Sequence, residues 1–207
     1  MQLDGATLSV TGVGGFIGRR LAERALSRGM KVRGLDQSES AARELHGVDV
    51  VVGDVCDPAA ARAACAGADV VVHTAAVVRE DGLRELYQRV NVGGTGQMVA
   101  AAREAGARRF VQLSSVMVYG YRFPPGVTED GPLRGEGNPY CETKIESERV
   151  AEASREPGRF EITIIRPGDV YGPRSVPWVV RPYLLMKSGL FMLPDGGKGI
   201  INQVYVD

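Results

Sequence analysis

The feature that most constrains the fold is a series of short runs of β-branched and apolar residues, each followed by a segment rich in Ala, Arg and Glu. Three of these runs are nearly continuous Val or Ile, which is typical of parallel strands buried on both faces. Such alternation predicts right-handed βαβ crossovers and an α/β fold built on a doubly wound, Rossmann-like parallel sheet. The predicted strands are residues 6–10, 31–36, 48–54, 69–74, 109–115 and 161–167.

The segments between the predicted strands have the composition of helices. Ser38 is placed to cap the second of them, and Pro58 suits the first turn of the third. The predicted helical segments are residues 16–29, 39–47, 58–67, 83–106 and 139–156.

Composition and charge argue against several classes of function. Lys+Arg and Asp+Glu both total 25, so the formal net charge is zero, and nothing favours long-range attraction to nucleic acid or an anionic membrane. No apolar run approaches the roughly 18 residues of a membrane span, and we expect no signal peptide. Cys56, Cys65 and Cys141 match neither a metal-ligand spacing nor a disulfide framework, so we expect no metal site and a reducing, cytoplasmic location.

A glycine-rich loop lies between the first predicted strand and the first predicted helix. Gly12, Gly15 and Gly18 follow the spacing G-x-x-G-x-x-G, since residue 17 is Ile and not the glycine of G-x-G-x-x-G. In both patterns a tight turn lets the backbone approach a pyrophosphate, while the helix N-terminus offers free N–H groups and a positive dipole. The strand before the loop and the helix after it are the required context, so the loop predicts a dinucleotide site.

The loop TGVGGFIG resembles the nucleotide loop of the extended short-chain dehydrogenases/reductases, the NAD-dependent epimerase/dehydratase family. Six further stretches resemble segments of that family in the same order, and together they cover nearly the whole chain. These are VVVGDV, VVHTAA, NVGGT, LSSVMVYG, PYCETK (with Thr143 in place of the family's serine) and RPGDVYGP, and the terminal QVYVD resembles a later strand. The cofactor-binding residues that the resemblance implies are Gly12, Gly15, Phe16, Ile17, Gly18, Asp36, Asp54, Val55, Ala75, Lys144 and Pro167, with Asp54 placed to bind the adenine amino group.

A candidate acid–base pair lies in the last predicted helix. Tyr140 and Lys144 are four residues apart and share one helical face. A neighbouring ammonium favours the phenolate and is expected to lower the tyrosine pKa by roughly 1–3 units, so Tyr140 is predicted to exchange a proton with a substrate hydroxyl. The resemblance implies that Lys144 also binds the nicotinamide ribose.

The resemblance implies two more catalytic residues. Ser115, four residues before Tyr119, corresponds to the family's catalytic hydroxyl, and Ser114 is its neighbour without that role. Asn91 would hold the lysine through backbone and water contacts, although a polar residue at a helix kink explains it equally well.

An acidic residue at the end of the second strand bears on which nicotinamide cofactor binds. Asp36 lies 18 residues after Gly18, close to the offset of an acid that binds the ribose 2′-hydroxyl. A 2′-phosphate would meet this carboxylate, so the sequence favours NAD over NADP, while the alternative interpretation is a simple turn aspartate.

The predicted domain organisation follows from a change of composition near Pro173, beyond which Pro and aromatic residues are more frequent and the periodicity is looser. We predict a dinucleotide-binding domain over residues 1–172 and the beginning of a small substrate-binding region, apparently truncated, over 173–207. The terminal VYVD is typical of the start of another strand.

The reaction remains open among the outcomes that these residues support. Dehydratases of the resembled family carry an acidic pair after the catalytic hydroxyl, where this chain has Val116 and Met117, which argues against dehydration. Residues 178–207 resemble hydroxysteroid- and dihydroflavonol-type dehydrogenases and predict a secondary alcohol/ketone oxidoreductase. The alternatives are a nucleotide-sugar epimerase with tightly bound NAD and a non-catalytic dinucleotide-binding protein. Two chains are expected to pair, if at all, through residues 83–104 and 139–154.

Overall fold

The computed structural model describes residues 4–78, 82–122 and 125–207. These residues divide into two compact units, one that ends at Arg166 and one that runs from Pro167 to Asp207. Residues 1–3 lie outside the described residues. They belong to the N-terminal segment in which we expect no signal peptide.

The first unit is built on a parallel sheet with strand order β3-β2-β1-β4-β5-β6 among the described residues. This arrangement confirms the predicted α/β fold with a doubly wound sheet. The strands are β1 Thr7–Thr11, β2 Lys31–Asp36, β3 Val48–Val52, β4 Val70–His73, β5 Arg109–Leu113 and β6 Glu161–Ile165.

Alternate residues of the central strands are buried on opposite faces. Val71 and Phe110 are paired neighbours that pack on one face, whereas Val10 and Val72 pack on the other. A core therefore lies on each side of the sheet, which is the physical reason that the central strands read as nearly unbroken apolar runs.

Helices cover both faces of the sheet and begin close to where the sequence predicts. Ser38 accepts a hydrogen bond from the Ser40 N–H at 3.3 Å, and Pro58 opens its helix behind the capping residue Asp57, as predicted. The helices are α1 Phe16–Leu26, α2 Glu39–Glu44, α3 Pro58–Cys65, α4 Arg84–Tyr87, α5 Gly94–Glu104 and α6 Pro139–Glu152.

The predicted helical segment 83–106 is not one uniform helix. A π-helical segment, Gln88–Gly93, separates α4 from α5. Such a segment accommodates a wider turn within a continuous helix and is frequent at functional sites.

The second unit contains a two-stranded parallel sheet of β7 Asp169–Tyr171 and β8 Gln203–Tyr205. The strand expected near the end of the sequence is present as β8. The unit also contains α7 Arg181–Lys187, preceded by the π-helical segment Val176–Val180. The predicted domain boundary at residue 172 stays a prediction.

None of the helices in the described part of the chain combines the length and apolar character that a bilayer span requires.

Candidate active site

The candidate site lies at the carboxyl ends of the parallel strands. It is next to β1 and β4, between which the order of the strands along the chain reverses. β1 pairs with β2 on one side and with β4 on the other, so the loops after β1 and β4 leave toward opposite faces. A crevice forms at this switch point in open α/β sheets and is the usual location of their ligands.

The glycine loop is packed too closely for side chains at two of its predicted positions. Gly12 has a φ of +63°, and a Cβ built there would lie 3.1 Å from the backbone of Ala75. A Cβ on Gly18 would clash with the Gly12 carbonyl oxygen. Gly15 donates its N–H to that same carbonyl at 2.9 Å, so the turn is tight where the motif requires it.

Phe16 and Ile17 form the first turn of α1, whose N–H groups have no intrahelical acceptor. No acidic side chain occupies this first turn, so its positive dipole end is not neutralised locally. The loop and the helix N-terminus therefore fit a pyrophosphate.

A cavity of about 330 Å³ lies beside the glycine loop. Its wall is largely apolar, with Asp36 and Arg89 among its charged members. Four of the predicted cofactor-binding residues line it: Gly12, Asp36, Val55 and Ala75. An apolar slot with a few polar groups is the usual character of a small-molecule site, and this one fits the adenosine half of a dinucleotide.

Asp36 connects the cavity to the glycine loop. Its Oδ2 accepts a hydrogen bond from the Gly14 N–H at 2.8 Å, and its Oδ1 accepts one from the Ser38 N–H at 2.9 Å. Each carboxylate oxygen has a second lone-pair direction. The Asp36 carboxylate can therefore hold the glycine loop and still accept a hydrogen bond from a ribose hydroxyl.

Asp54 has a different environment from the one that its predicted role suggests. Its Oδ1 accepts a hydrogen bond from the Cys56 N–H at 2.9 Å, and its Oδ2 pairs with the Arg89 guanidinium at 2.9 Å. Burial raises the pKa of Asp54, but these hydrogen bonds outweigh burial and the net effect lowers the pKa. An adenine amino group that reaches this carboxylate has to share it with Arg89, a residue that the sequence analysis missed.

Ser115 and Tyr140 are brought together although 25 residues separate them. The predicted strand 109–115 ends earlier, at Leu113, because Ser115 caps a 3₁₀ turn, Val116–Tyr119, by accepting the Met117 N–H at 3.2 Å. Tyr140 lies in the first turn of α6, and its phenol interacts with the Ser115 side chain.

Lys144 lies one helical turn after Tyr140, on the same face as predicted. Its Nζ is 5.9 Å from the centre of the Tyr140 ring and donates to the Leu113 carbonyl at 2.7 Å. The residue is only 4% exposed, and burial lowers the pKa of Lys144 to about 8 against the opposing charge of Glu148.

The predicted lowering of the tyrosine pKa is wrong for the structure as it stands. Burial raises the pKa of Tyr140 above its ordinary value, and the hydrogen bond with Ser115 offsets only part of this effect. The physical reason is that the Lys144 ammonium points to the Leu113 carbonyl, while the phenol is removed from water.

Asn91 is buried in the π-helical segment, and its side chain clamps the loop after β4. Its Oδ1 accepts the Val77 N–H at 2.7 Å, and its Nδ2 donates to the Val77 carbonyl at 3.2 Å. The same Nδ2 reaches Thr143 of α6 at 3.2 Å, and the backbone carbonyl accepts from Thr95 at 2.7 Å. The side chain thus positions the cavity wall, and the predicted water contacts toward the lysine stay a prediction.

His73 is an internal residue of the sheet. It is 1% exposed, and its Nδ1 lies 2.7 Å from the Thr11 hydroxyl. Burial lowers the pKa of His73 to about 3, with help from the Lys144 charge, so the imidazole is neutral at physiological pH. This environment suits a packing role for His73 and not a role as a base.

An ion pair between Glu148 of α6 and Arg166 was missed by the sequence analysis. Glu148 of α6 binds Arg166 through two hydrogen bonds of 2.9 and 2.7 Å, and Arg166 donates to the Tyr119 hydroxyl at 2.7 Å. The helical spacing carried a usable signal, because Glu148 follows Lys144 by the same four residues that separate Lys144 from Tyr140. Pro167, a predicted cofactor contact, begins the second unit.

Comparison with known proteins places these motifs in a family context. The model of the NAD dependent epimerase/dehydratase family matches residues 8–194. A 2-alkyl-3-oxoalkanoate reductase from Stenotrophomonas maltophilia is 31% identical over 202 residues, covering 96% of this chain and 61% of that protein. A 3 beta-hydroxysteroid dehydrogenase/Delta 5-->4-isomerase from Mycobacterium tuberculosis is 34% identical over 172 residues, covering 79% of this chain and 46% of that protein.

A solved structure shows the same fold. A double mutant of a dTDP-glucose 4,6-dehydratase from Streptomyces venezuelae, crystallised with NAD, superposes with a TM-score of 0.83 at 26% identity and covers 97% of this chain and 68% of that one. The chain spans about half to three fifths of the length of the two curated relatives described above.

Proposed function

We propose, because this chain belongs to the NAD-dependent epimerase/dehydratase family, that it is an NAD-dependent oxidoreductase acting on a secondary alcohol or the corresponding ketone. The observation that carries the proposal is the grouping of Ser115, Tyr140 and Lys144 beyond the carboxyl end of β5, on the same edge of the sheet as the glycine loop. Together they supply a hydroxyl, a phenol and an ammonium group.

The residues around the cavity suit NAD. When bound, this cofactor accepts a hydride from an alcohol carbon or returns one to a ketone carbon. The glycine loop and the first turn of α1 would hold the pyrophosphate. Asp36 would accept hydrogen bonds from the adenosine ribose hydroxyls. The same carboxylate disfavours the 2′-phosphate of NADP.

Tyr140 is the proposed acid–base group. Because burial raises its pKa, the phenol is protonated at neutral pH and is suited to donate its proton to a ketone oxygen as the hydride reaches the adjacent carbon. In oxidation the proton moves from the alcohol oxygen to the phenolate. Ser115 would donate a hydrogen bond to the same oxygen and stabilise the charge that develops there.

A secondary alcohol of hydroxysteroid- or dihydroflavonol-like character is the proposed substrate class. The reductase and the hydroxysteroid dehydrogenase among the relatives act, by their names, at an oxo or a hydroxyl carbon. Val116 and Met117 follow Ser115 and offer no acid–base group, so the likeness to a solved dehydratase does not extend to dehydration.

The first experiment is to denature the purified protein and to assay the supernatant for released nicotinamide cofactor. An empty site, followed by saturable NADH binding in a fluorescence titration, supports an exchanging dehydrogenase. Tightly retained NAD would instead favour the epimerase alternative, since that cycle reoxidises the cofactor in place. A protein that binds neither NAD nor NADP contradicts the proposal.

Turnover is then tested with a panel of cyclic and acyclic ketones and NADH. Tyr140→Phe is expected to lose measurable reduction while it still binds NADH. Lys31→Met, which changes an exposed residue at the amino end of β2, away from the carboxyl ends of the strands, is the control and is expected to match the unmodified protein.

A further inference from the structure

We propose that Glu148 and Arg166 are positioning residues, which brace the turn that carries Ser115 against the helix that carries Tyr140 and Lys144. This inference rests on the proposed function. Two hydrogen bonds join the guanidinium and the carboxylate, from Nε to Oε1 at 2.9 Å and from Nη2 to Oε2 at 2.7 Å. The paired geometry fixes the plane of the guanidinium relative to α6.

The guanidinium extends from the helix to the serine turn. Its Nη1 donates to the Tyr119 hydroxyl and to the Glu129 carbonyl, each at 2.7 Å. The guanidinium carbon also lies 5.1 Å from the centre of the Tyr119 ring. Arg166 therefore contacts α6, the last residue of the serine turn and the loop beyond that turn.

Tyr119 transmits this constraint to Ser115 over a short path. The Val118 N–H donates to the Ser115 carbonyl at 3.2 Å, and the Ser115 hydroxyl caps the turn at the Met117 N–H. Tyr119 itself is 6% exposed. A displacement of its ring would move the turn as a unit, and with it the hydroxyl that meets the Tyr140 phenol.

The burial of the pair argues for a role beyond general stability. The Glu148 side chain is 4% exposed and that of Arg166 is 16% exposed. The attraction within a buried ion pair often fails to offset the desolvation cost of its two charges, and proteins with apolar residues in place of the pair are often as stable. What apolar side chains cannot supply is the directed set of hydrogen bonds that joins the helix to the serine turn.

The same helix offers a matched control. Glu152, one turn after Glu148, also binds an arginine through two hydrogen bonds, to Arg155 at 2.7 and 2.8 Å. That pair is exposed, and the contacts of Arg155 lie toward β6, away from the serine turn. Glu148→Gln and Glu152→Gln therefore make the same chemical change in a bracing and a non-bracing pair.

The test compares Glu148→Gln, Tyr119→Phe and Glu152→Gln with the unmodified chain. Amide hydrogen exchange over residues 115–120, NADH affinity and the kcat and KM of ketone reduction are measured for each. A misplacement of reacting groups by about 1 Å lowers the rate by about 100-fold, so Glu148→Gln is expected to lose between about 10- and 100-fold in kcat. Its exchange over 115–120 is expected to accelerate, while KM and NADH affinity change little.

The remaining variants complete the comparison. Tyr119→Phe removes the hydroxyl that accepts a hydrogen bond from Arg166. It is expected to accelerate amide exchange over residues 115–120 and to lower kcat, each by a smaller factor than Glu148→Gln does. Glu152→Gln is expected to match the unmodified chain in every measurement. If Glu148→Gln does not fold, Tyr119→Phe decides: unchanged exchange over 115–120 overturns the inference, and faster exchange supports it.

The outcomes separate this inference from the proposed function. Equal kcat and equal exchange in Glu148→Gln and Glu152→Gln, in a chain that reduces ketones, overturn the brace and leave the function standing. Faster exchange in Glu148→Gln alone, in a chain that neither binds NADH nor reduces ketones, supports the brace and removes the proposed function.

Discussion

Tyr140, Ser115 and Lys144 divide the proposed chemistry among three different environments. The phenol is buried and protonated, the serine hydroxyl is held by the turn that it caps, and the ammonium is bound to a backbone carbonyl. Because the phenol starts with its proton, the site as it stands is prepared for ketone reduction. Oxidation requires the phenolate and should gain more from alkaline pH.

The adjacent serines give a direct test of the catalytic assignment. Ser115→Ala removes the proposed donor to the substrate oxygen and is expected to lower kcat by about 100-fold, as the loss of one such donor does elsewhere. Ser114→Ala removes a buried hydroxyl that has no hydrogen-bond partner among the described residues and should leave kcat nearly unchanged. Steady-state reduction rates check both, and equal losses would contradict the assignment.

Lys144 predicts how stability depends on pH. In the unfolded chain a lysine releases its proton near pH 10.5, whereas burial lowers the pKa of folded Lys144 to about 8. Between these values the unfolded state binds more protons, so Lys144 contributes a rise of the free energy of unfolding with pH, by up to about 3 kcal/mol. Burial raises the pKa of the Cys56 and Cys65 thiols, which contributes in the opposite direction above about pH 9. Urea denaturation between pH 7.5 and 9.5 measures the net slope of the free energy of unfolding against pH.

Two variants isolate the lysine contribution. The slope should be lower in Lys144→Met than in the unmodified chain, because the lysine contribution is lost, and unchanged in Lys31→Met, which removes an exposed lysine of β2. An unchanged slope in Lys144→Met would show that other groups alone determine how stability depends on pH.

Single residues could be placed by sequence only where local spacing determines them. The shared face of Tyr140 and Lys144 follows from helix geometry alone. The direction of the tyrosine pKa shift could not be predicted, because it depends on burial and on a carbonyl that lies 31 residues from the lysine. The contact of Arg166 with Tyr119 spans 47 residues and likewise has no local signal.

At the scale of elements, the π-helical segment Gln88–Gly93 is the feature that joins the loop after β4 to α6, the helix that carries the proposed acid–base residue. It carries Asn91, which binds the loop after β4 on one side and Thr143 of α6 on the other. Through these contacts one buried amide sets the position of the cavity wall relative to α6.

Asn91→Leu is expected to destabilise the protein and to weaken cofactor binding. The change leaves the Val77 N–H and carbonyl without their partners, and each unsatisfied buried group costs about 1–3 kcal/mol. Gln97→Leu, a less buried change on α5, is the control. Urea denaturation and NADH titration check the result, and equal behaviour of the two variants would contradict the clamp.

The strands were predictable because burial on both faces leaves a strong apolar signal, and β2 has the predicted bounds. The wider turn within 83–106 was not predictable, since it depends on a pairing of Asn91 with Val77 across 14 residues. The ends of the strands were not predictable either. The predicted strand 109–115 ends at Leu113, because Ser115 caps the 3₁₀ turn that follows.

At the scale of the whole molecule, the first unit contains the glycine loop, the cavity and the proposed catalytic residues. It has the fold of the doubly wound parallel sheet, and the family model that matches residues 8–194 spans nearly all of it. The predicted pairing of two chains through residues 83–104 and 139–154 stays a prediction, as does the cytoplasmic location.

Cofactor binding should stabilise the molecule in proportion to the free cofactor concentration. At one hundred times its Kd, NADH is expected to add about 2.7 kcal/mol to the free energy of unfolding. NADPH at the same concentration should add less because of Asp36. Thermal unfolding with each cofactor measures the difference, and a larger shift with NADPH would contradict the assignment of Asp36.

Gly18→Ala provides the control for this stabilisation. The added methyl group would clash with the Gly12 carbonyl oxygen, so the turn that should hold the pyrophosphate cannot close. The variant is expected to unfold at the same temperature with and without NADH.

The wider turn at Gln88–Gly93 also constrains how sequences of this kind can change in length. Deleting one residue there would allow α4 and α5 to join as a regular helix, because the wider turn holds one residue more than an α-helical turn, but the side chains of the turn itself would be redistributed. A different side chain would then face Val77, and the amide clamp would be lost although every helix was kept. Related sequences should therefore keep Asn91 and vary at other positions of this segment, while insertions and deletions are avoided.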